Sequence, residues 1–245
     1  MNPSGSPLLL LEGISKSYAS HGQWPWAAGG TVVVLESVNL EIDSGEIVGL
    51  VGRSGAGKST LARILAGMEK PDGGTRTYHG QQWDSDRIPP SLRREVQYVF
   101  QNPASSLNPR MTAWRQLLEA PLCHRMGRPP AVMQRMQEIV SLLGLEGSSL
   151  DRYPHQFSGG QQQRLALARA LSVEPRVLVC DEITSSLDSA TAENLTSLLQ
   201  HINRQMGVAI AFISHDLPLV EGLCRRIIQL SKGKLEPYPV HPAED

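Results

Sequence analysis

Glu46-Ile47-Val48-Gly49-Leu50-Val51-Gly52-Arg53-Ser54-Gly55-Ala56-Gly57-Lys58-Ser59 is the stretch that decides the fold of this chain. Ile47 to Val51 form a continuous apolar run, the pattern of a strand buried on both faces. Gly52 to Ser59 fit the spacing G-x-x-x-x-G-K-[ST], and Ser59 to Met68 then read as a helix. Strand, glycine loop and helix in that order are the setting a phosphate-binding loop requires. The glycines let successive backbone N–H groups converge on one phosphate without a Cβ in the way. Lys58 is placed to neutralise β- and γ-oxygens, the Ser59 hydroxyl to ligate Mg²⁺, and Thr60 to support the phosphates. A chance match in a chain of this length is about a one-in-a-hundred event at average residue frequencies.

Three further strand ends carry matching chemistry. Arg176 to Cys180 read as a second buried strand, and Asp181-Glu182 follow it directly. Asp181 is expected to hold Mg²⁺, directly or through water, and Glu182 to reach a water in line with the γ-phosphate. Alone, such a pair could equally be a helix cap or a solvated turn. His215 ends the apolar strand Val208–Ile213, and Gln101 ends Tyr98-Val99-Phe100. A lone histidine is more often structural, and Gln101 could be a plain turn residue before Pro103. Both nevertheless fall where ligands bind in open α/β sheets. Ser158-Gly159-Gly160-Gln161-Gln162-Gln163-Arg164 is a second glycine turn running into a helix, hence a second anion-binding helix start. Two phosphate-binding starts with one set of carboxylates suggest a site shared between subunits.

The rest of the chain sets bounds. Its 245 residues are 40% hydrophobic and 19% charged, with a net charge of -1, as in an ordinary folded domain without a broad basic field. Nucleic acid is therefore not expected as the partner. No apolar run approaches a membrane span, and no secretory signal is read at the N-terminus. Cys123, Cys180 and Cys224 lack C-x-x-C spacing and read as reduced thiols. Unpaired histidines such as His21, His79, His124, His155, His201 and His241 give no transition-metal site.

The expected elements are antiparallel strands at 8–18 and 32–42 joined by a Gly/Trp/Pro-rich loop, a strand at 94–100 and helices across 112–150. Helices at 161–171, 190–206 and 217–225 and a last strand at 226–230 follow. Trp24 and Trp26 are expected to pack that loop on the antiparallel sheet. Met126, Met133 and Met136 fit either helix packing or a docking face. The fold class is α/β with a mostly helical insertion. The expected division is a phosphate-binding core with a β subdomain at 1–100 and 160–234, a helical subdomain at 102–158 and a loose tail at 235–245.

In their order, the loop at 52–59, Gln101, Ser158-Gly159-Gly160-Gln161, Asp181-Glu182, Ser186-Leu187-Asp188 and His215 resemble the ATP-binding subunits of ABC transporters. The resemblance spans the chain to about residue 234. It implies a RecA-like P-loop core, ATP and Mg²⁺ as ligands, and Tyr18 stacking on adenine. It also implies Gln101 sensing Mg²⁺ and the membrane partner, Asp188 at a dimer interface, and Ser158, Gly159, Gly160 and Gln161 on the γ-phosphate held by the opposite subunit. Lys58, Gln101, Glu182 and His215 are the implied catalytic set; Ser59, Gln101 and Asp181 surround Mg²⁺. Phe157, Ile183 and Ser186 depart mildly from the family pattern and remove no ligand.

Phe100-Gln101-Asn102-Pro103-Ala104-Ser105-Ser106-Leu107-Asn108-Pro109-Arg110 narrows the resemblance to the dipeptide, oligopeptide and nickel importer branch, nearest its nickel-type subunit. That branch implies a second homologous ATPase forming a heterodimer, two transmembrane permeases and, indirectly, an extracytoplasmic solute-binding protein. The place implied is the cytoplasmic face of a bacterial membrane. The rival reading is a soluble ABC-type ATPase of DNA repair or translation. Against it stand the short gap between Gln101 and Ser158, too small for a long coiled coil, and the single cassette.

Overall fold

The computed structural model describes residues 6–19, 30–84 and 88–238. The Trp24/Trp26 loop, His21 and His241 lie outside them. The buried frame is a six-stranded sheet built from β3 (Ile47–Val51), β6 (Val96–Val99), β7 (Val177–Asp181), β8 (Ala209–Ile213), β9 (Arg226–Ser231) and β10 (Lys234–Pro237). Its order is β10-β9-β3-β8-β7-β6, parallel throughout except for the β10–β9 pair. The apolar runs follow from burial on both faces. In β7, Val177 and Val179 join one core cluster while Leu178 and Cys180 join the other. In β8, Ile210 and Phe212 oppose Ala209, Ala211 and Ile213 in the same way.

A second sheet, β2-β1-β4-β5, is antiparallel and consists of β1 (Leu9–Ala19), β2 (Thr31–Ile42), β4 (Gly73–Tyr78) and β5 (Gln81–Gln82). Its inner residues Leu9, Leu11, Ile14, Leu35 and Ile42 are fully buried in the cluster that also holds Leu61 and Ile64 of α1 (Lys58–Leu65). The opposite core face carries α5 (Gly159–Leu171) and α6 (Ser189–Met206) with the insertion helices α3 (Ala113–Cys123) and α4 (Pro129–Leu142). α2 (Pro90–Glu95) precedes β6, and α7 (Leu217–Leu223) follows β8.

Several boundaries differ from the sequence reading for identifiable reasons. Helix α1 stops at Leu65 because Gly67 takes φ +74°, and the N–H groups of Gly67 and Met68 turn back to Ile64 and Arg63. That glycine-terminated cap satisfies the last carbonyls. Residues 94 and 95, expected to open the strand at 94–100, instead end a helix over Pro90–Glu95, with Pro90 at the first helical position, which its fixed φ favours. The tail expected to be loose from 235 begins instead as β10, antiparallel to β9. The turn at Lys232-Gly233 has φ +48° and +77°, the two positive angles of a tight type I′ hairpin.

Strand β4 was not foreseen. Gly74 takes φ +93° where β4 passes β1, and an added Cβ would lie 2.5 Å from the Glu12 carbonyl oxygen and 2.6 Å from Gly13. Those neighbours are backbone and cannot swing aside. Gly74→Ala is therefore expected to cost about 2–4 kcal/mol, combining a disfavoured φ with an overpacked contact. For a chain of this size the melting temperature should fall by roughly 4–16 °C. A thermal melt that does not move would show that β1 and β4 are not in this contact.

Candidate nucleotide-binding site

Strand order assembles the site. β8 lies between β3 and β7, so the loop after β3, Glu182 after β7 and His215 after β8 emerge side by side at one sheet edge. They wall a cavity of about 490 Å³ together with Arg53, Ser54, Gln229 and Tyr238. Gly52 sits against the next strand, where a Cβ would come within 2.5 Å of the Leu230 carbonyl oxygen. Gly57, at φ +101°, leads into α1, whose first turn holds no acidic residue. Its positive dipole end is left open to an anion.

Lys58 is buried, and its ammonium donates to the carbonyl oxygens of Gly52 (2.9 Å) and Arg53 (3.2 Å). It also lies 3.5 Å from Glu182 Oε1. His215 Nδ1 is 3.8 Å from that same oxygen. Gln101 Nε2 donates to Ser185 Oγ at 3.1 Å and reaches Glu182 Oε2 at 3.5 Å. The Glu182 carboxylate is thus ringed by one cation, one imidazole and one amide. Its backbone stands at φ +48°, a conformation uncommon for a residue with a Cβ.

One step away, the Ser59 hydroxyl donates to Asp181 Oδ1 at 3.1 Å, and the Tyr98 hydroxyl donates to Asp181 Oδ2. Asp181 is nearly inaccessible, at 6% exposure. Burial, then the bond to Asp181, pushes the Tyr98 phenol well above its ordinary range, so it remains a donor.

Tyr18 sits apart from this cluster, with its ring partly exposed. Its hydroxyl donates to the Glu69 carboxylate and lies 3.2 Å from Thr60 Oγ1 at the start of α1. Burial first, then Glu69, raises its phenol pKa above 10.0.

Ser158, Gly159, Gly160, Gln161 and Asp188 do not line the cavity. Ser158 caps α5, accepting from the Gln161 N–H at 3.3 Å, while the Ser158 N–H donates to Gln161 Oε1 at 3.0 Å. This reciprocal box fixes the helix start. Gly159 has open space where its Cβ would be, and a Cβ on Gly160 would come 3.1 Å from the Thr191 methyl. Thr191 is in turn held by Asp188, which accepts from its N–H (3.0 Å) and Oγ1 (2.7 Å) as the cap of α6. The side-chain bond to Thr191, then the backbone one, draws the Asp188 carboxyl below the usual range. The second glycine turn and Asp188 therefore form one packed unit outside the cavity.

Ser185, Tyr98 and Tyr238 were not singled out from the sequence. Only Tyr98 carried a usable signal: a phenol in a buried strand needs a hydroxyl partner. Ile183 is buried in the core at 1% exposure and Ser186 is exposed. Among the described residues no three His, Cys, Asp or Glu are grouped to hold a metal, and no helix is long and apolar enough to cross a membrane.

Known proteins resemble this chain in sequence and fold. The family model for ABC transporters matches residues 35–185. The nickel import ATP-binding protein NikE of Escherichia coli K12 is 41% identical over 231 residues, covering 93% of this chain and 85% of its own. The NikE of Shigella boydii matches to the same extent. A dimeric post-hydrolysis structure of the ATP-binding cassette MJ0796 with ADP and Pi superposes with a TM-score of 0.79 at 30% identity, covering 95% of this chain and all of that one. CbiO1 of Clostridium perfringens, part of a CbiONQ ABC transporter complex, gives 0.78 at 25% identity, covering 94% and 87%. The family model covers more than half of the chain and the nickel import relatives almost all of it, and the chain belongs to the ABC transporter family.

Proposed function

We infer that this chain is the ATP-binding and ATP-hydrolysing subunit of an importer for nickel or a related metal chelate. The observation that carries the ATPase reading is the convergence of Lys58, His215 and Gln101 on the one carboxylate of Glu182, beside the loop cavity. The cargo reading rests on the 41% identity to nickel import subunits over almost the whole chain. The same similarity disfavours a soluble repair or translation ATPase.

In this reading Gly52 to Ser59 and Thr60 cradle the phosphates and Tyr18 meets the adenine. Phosphate oxygens take over the Lys58 ammonium from the carbonyls of Gly52 and Arg53. Glu182 accepts a proton from the attacking water, and His215 and Gln101 hold that water and the γ-phosphate in line. Such catalysis is positioning plus charge stabilisation, with no covalent intermediate. Ser59 and Asp181, a hydroxyl and a carboxylate, are hard oxygen donors suited to Mg²⁺, with positions left for water and phosphate. When bound, Mg²⁺ would offset charge on the β- and γ-oxygens.

Because Ser158 to Gln161 lie outside the cavity, this helix start is assigned to the γ-phosphate on a second cassette, with Asp188 at that interface. The second cassette is read as a homologue, which makes the pair a heterodimer. Two permeases anchor the pair peripherally at the cytoplasmic face of the cell membrane, served by an extracytoplasmic binding protein. Residues 102–158 are the helical subdomain that meets the permeases, and the two flanking parts form the ATP-binding core.

The test is to express the tagged chain with its neighbouring genes, isolate it from detergent-solubilised membranes and measure metal uptake. The expected outcome is recovery with multi-span proteins and ATP-dependent ⁶³Ni accumulation in cells. Recovery with nucleic acid or ribosomes, and no membrane partner, would overturn the assignment.

A further inference from the structure

We propose that Tyr98 is a positioning residue for the metal site: its hydroxyl fixes the Asp181 carboxylate so that Oδ1 stays aimed at the Ser59 hydroxyl. This rests on the reading of Ser59 and Asp181 as the Mg²⁺ pair. The two oxygens of Asp181 have different partners. Oδ1 accepts from Ser59 at 3.1 Å, and Oδ2 accepts from Tyr98. A carboxylate held at one oxygen only can rotate about its Cβ–Cγ bond and present either oxygen, or neither, to a cation. Held at both, it has one orientation, and only Oδ1 adjoins the second donor.

The backbone explains why Tyr98 is available. β6 pairs in parallel with β7, Tyr98 opposite Val179, two residues before Asp181. The ring is wedged edge-on against Phe100 at 4.8 Å, which restricts where the hydroxyl can go. Tyr98 therefore bonds the carboxylate oxygen that Ser59 does not, and it belongs to the segment that continues into Gln101. The same residue walls a separate cleft of about 370 Å³ between the end of α1, β6, α3 and α5. A rigid side chain thus reaches from that cleft to the metal-site carboxylate.

Partners that orient a metal-ligating carboxylate typically affect metal affinity by about 10- to 100-fold when removed. Tyr98→Phe keeps the ring and its contact with Phe100 and deletes only the hydroxyl. The experiment titrates MgCl₂ into the protein with a fluorescent ADP analogue and measures ADP binding in EDTA alongside, with a thermal melt of each variant. For Tyr98→Phe, the Mg²⁺ concentration at half-saturation should rise at least 10-fold while metal-free ADP affinity stays within twofold. An unchanged Mg²⁺ requirement, or an equal loss of metal-free binding, would overturn the proposal. Asp181→Asn separates the two readings. If it abolishes the Mg²⁺ effect while Tyr98→Phe leaves it intact, Tyr98 has no positioning role. If Asp181→Asn itself leaves the effect intact, the metal pair is misassigned.

Discussion

Replacing Glu182 with glutamine should lower ATP turnover by about 10²- to 10⁴-fold, the usual contribution of a positioned general base, and leave ATP binding intact. The amide has the shape of the carboxylate but cannot accept the proton of the attacking water. It also removes the charge that draws Lys58 to 3.5 Å, freeing the ammonium for phosphate oxygens. Bound ATP should therefore accumulate unhydrolysed, and the closed two-cassette state should persist. Filter-bound nucleotide and released phosphate, read on one preparation, check both halves. Turnover near the unaltered rate would remove Glu182 from the catalytic role.

Lys58→Met should act on the other half of the cycle. The substitution keeps an apolar stem in a position that is 5% exposed and removes only the charge. An ammonium about 4 Å from a phosphate charge, at an effective dielectric near 20, is worth about 4 kcal/mol. Each factor of ten in affinity is about 1.4 kcal/mol, so ATP and ADP affinity should fall about 10³-fold. The carbonyls of Gly52 and Arg53 lose their donor as well, which loosens the loop. Equilibrium binding of a fluorescent nucleotide measures the effect. The contrast is diagnostic: Glu182→Gln binds and does not turn over, whereas Lys58→Met does not bind. Affinity within tenfold of the unaltered chain would mean that Lys58 does not contact phosphate.

The parallel strands were legible because burial on both faces writes a continuous apolar run, as in β3, β7 and β8. Their ends then pointed to Lys58, Glu182 and His215, and the order β3-β8-β7 brought these together. β4 was not legible: Gly73-Gly74-Thr75-Arg76-Thr77-Tyr78 lacks a clean alternation, and its partner β1 is about sixty residues away. β10 was missed because Pro237 suggested a loose tail, although an edge strand tolerates proline and Lys232-Gly233 is a turn signal. The bond from Tyr98 to Asp181 joins residues 83 apart and depends on strand register, which no local pattern encodes. That Ser158 to Gln161 lie off the loop cavity is likewise a property of the folded chain.

In the proposed two-cassette arrangement, one cassette alone is catalytically incomplete. Its most direct test is the ATPase rate per chain as a function of concentration, for the isolated chain and for the chain mixed with the cassette that co-purifies with it. The rate per chain should climb with concentration, or on adding the partner, and level off once paired. A rate per chain that stays constant down to concentrations where the protein is monomeric, at the same value with and without partner, would contradict it.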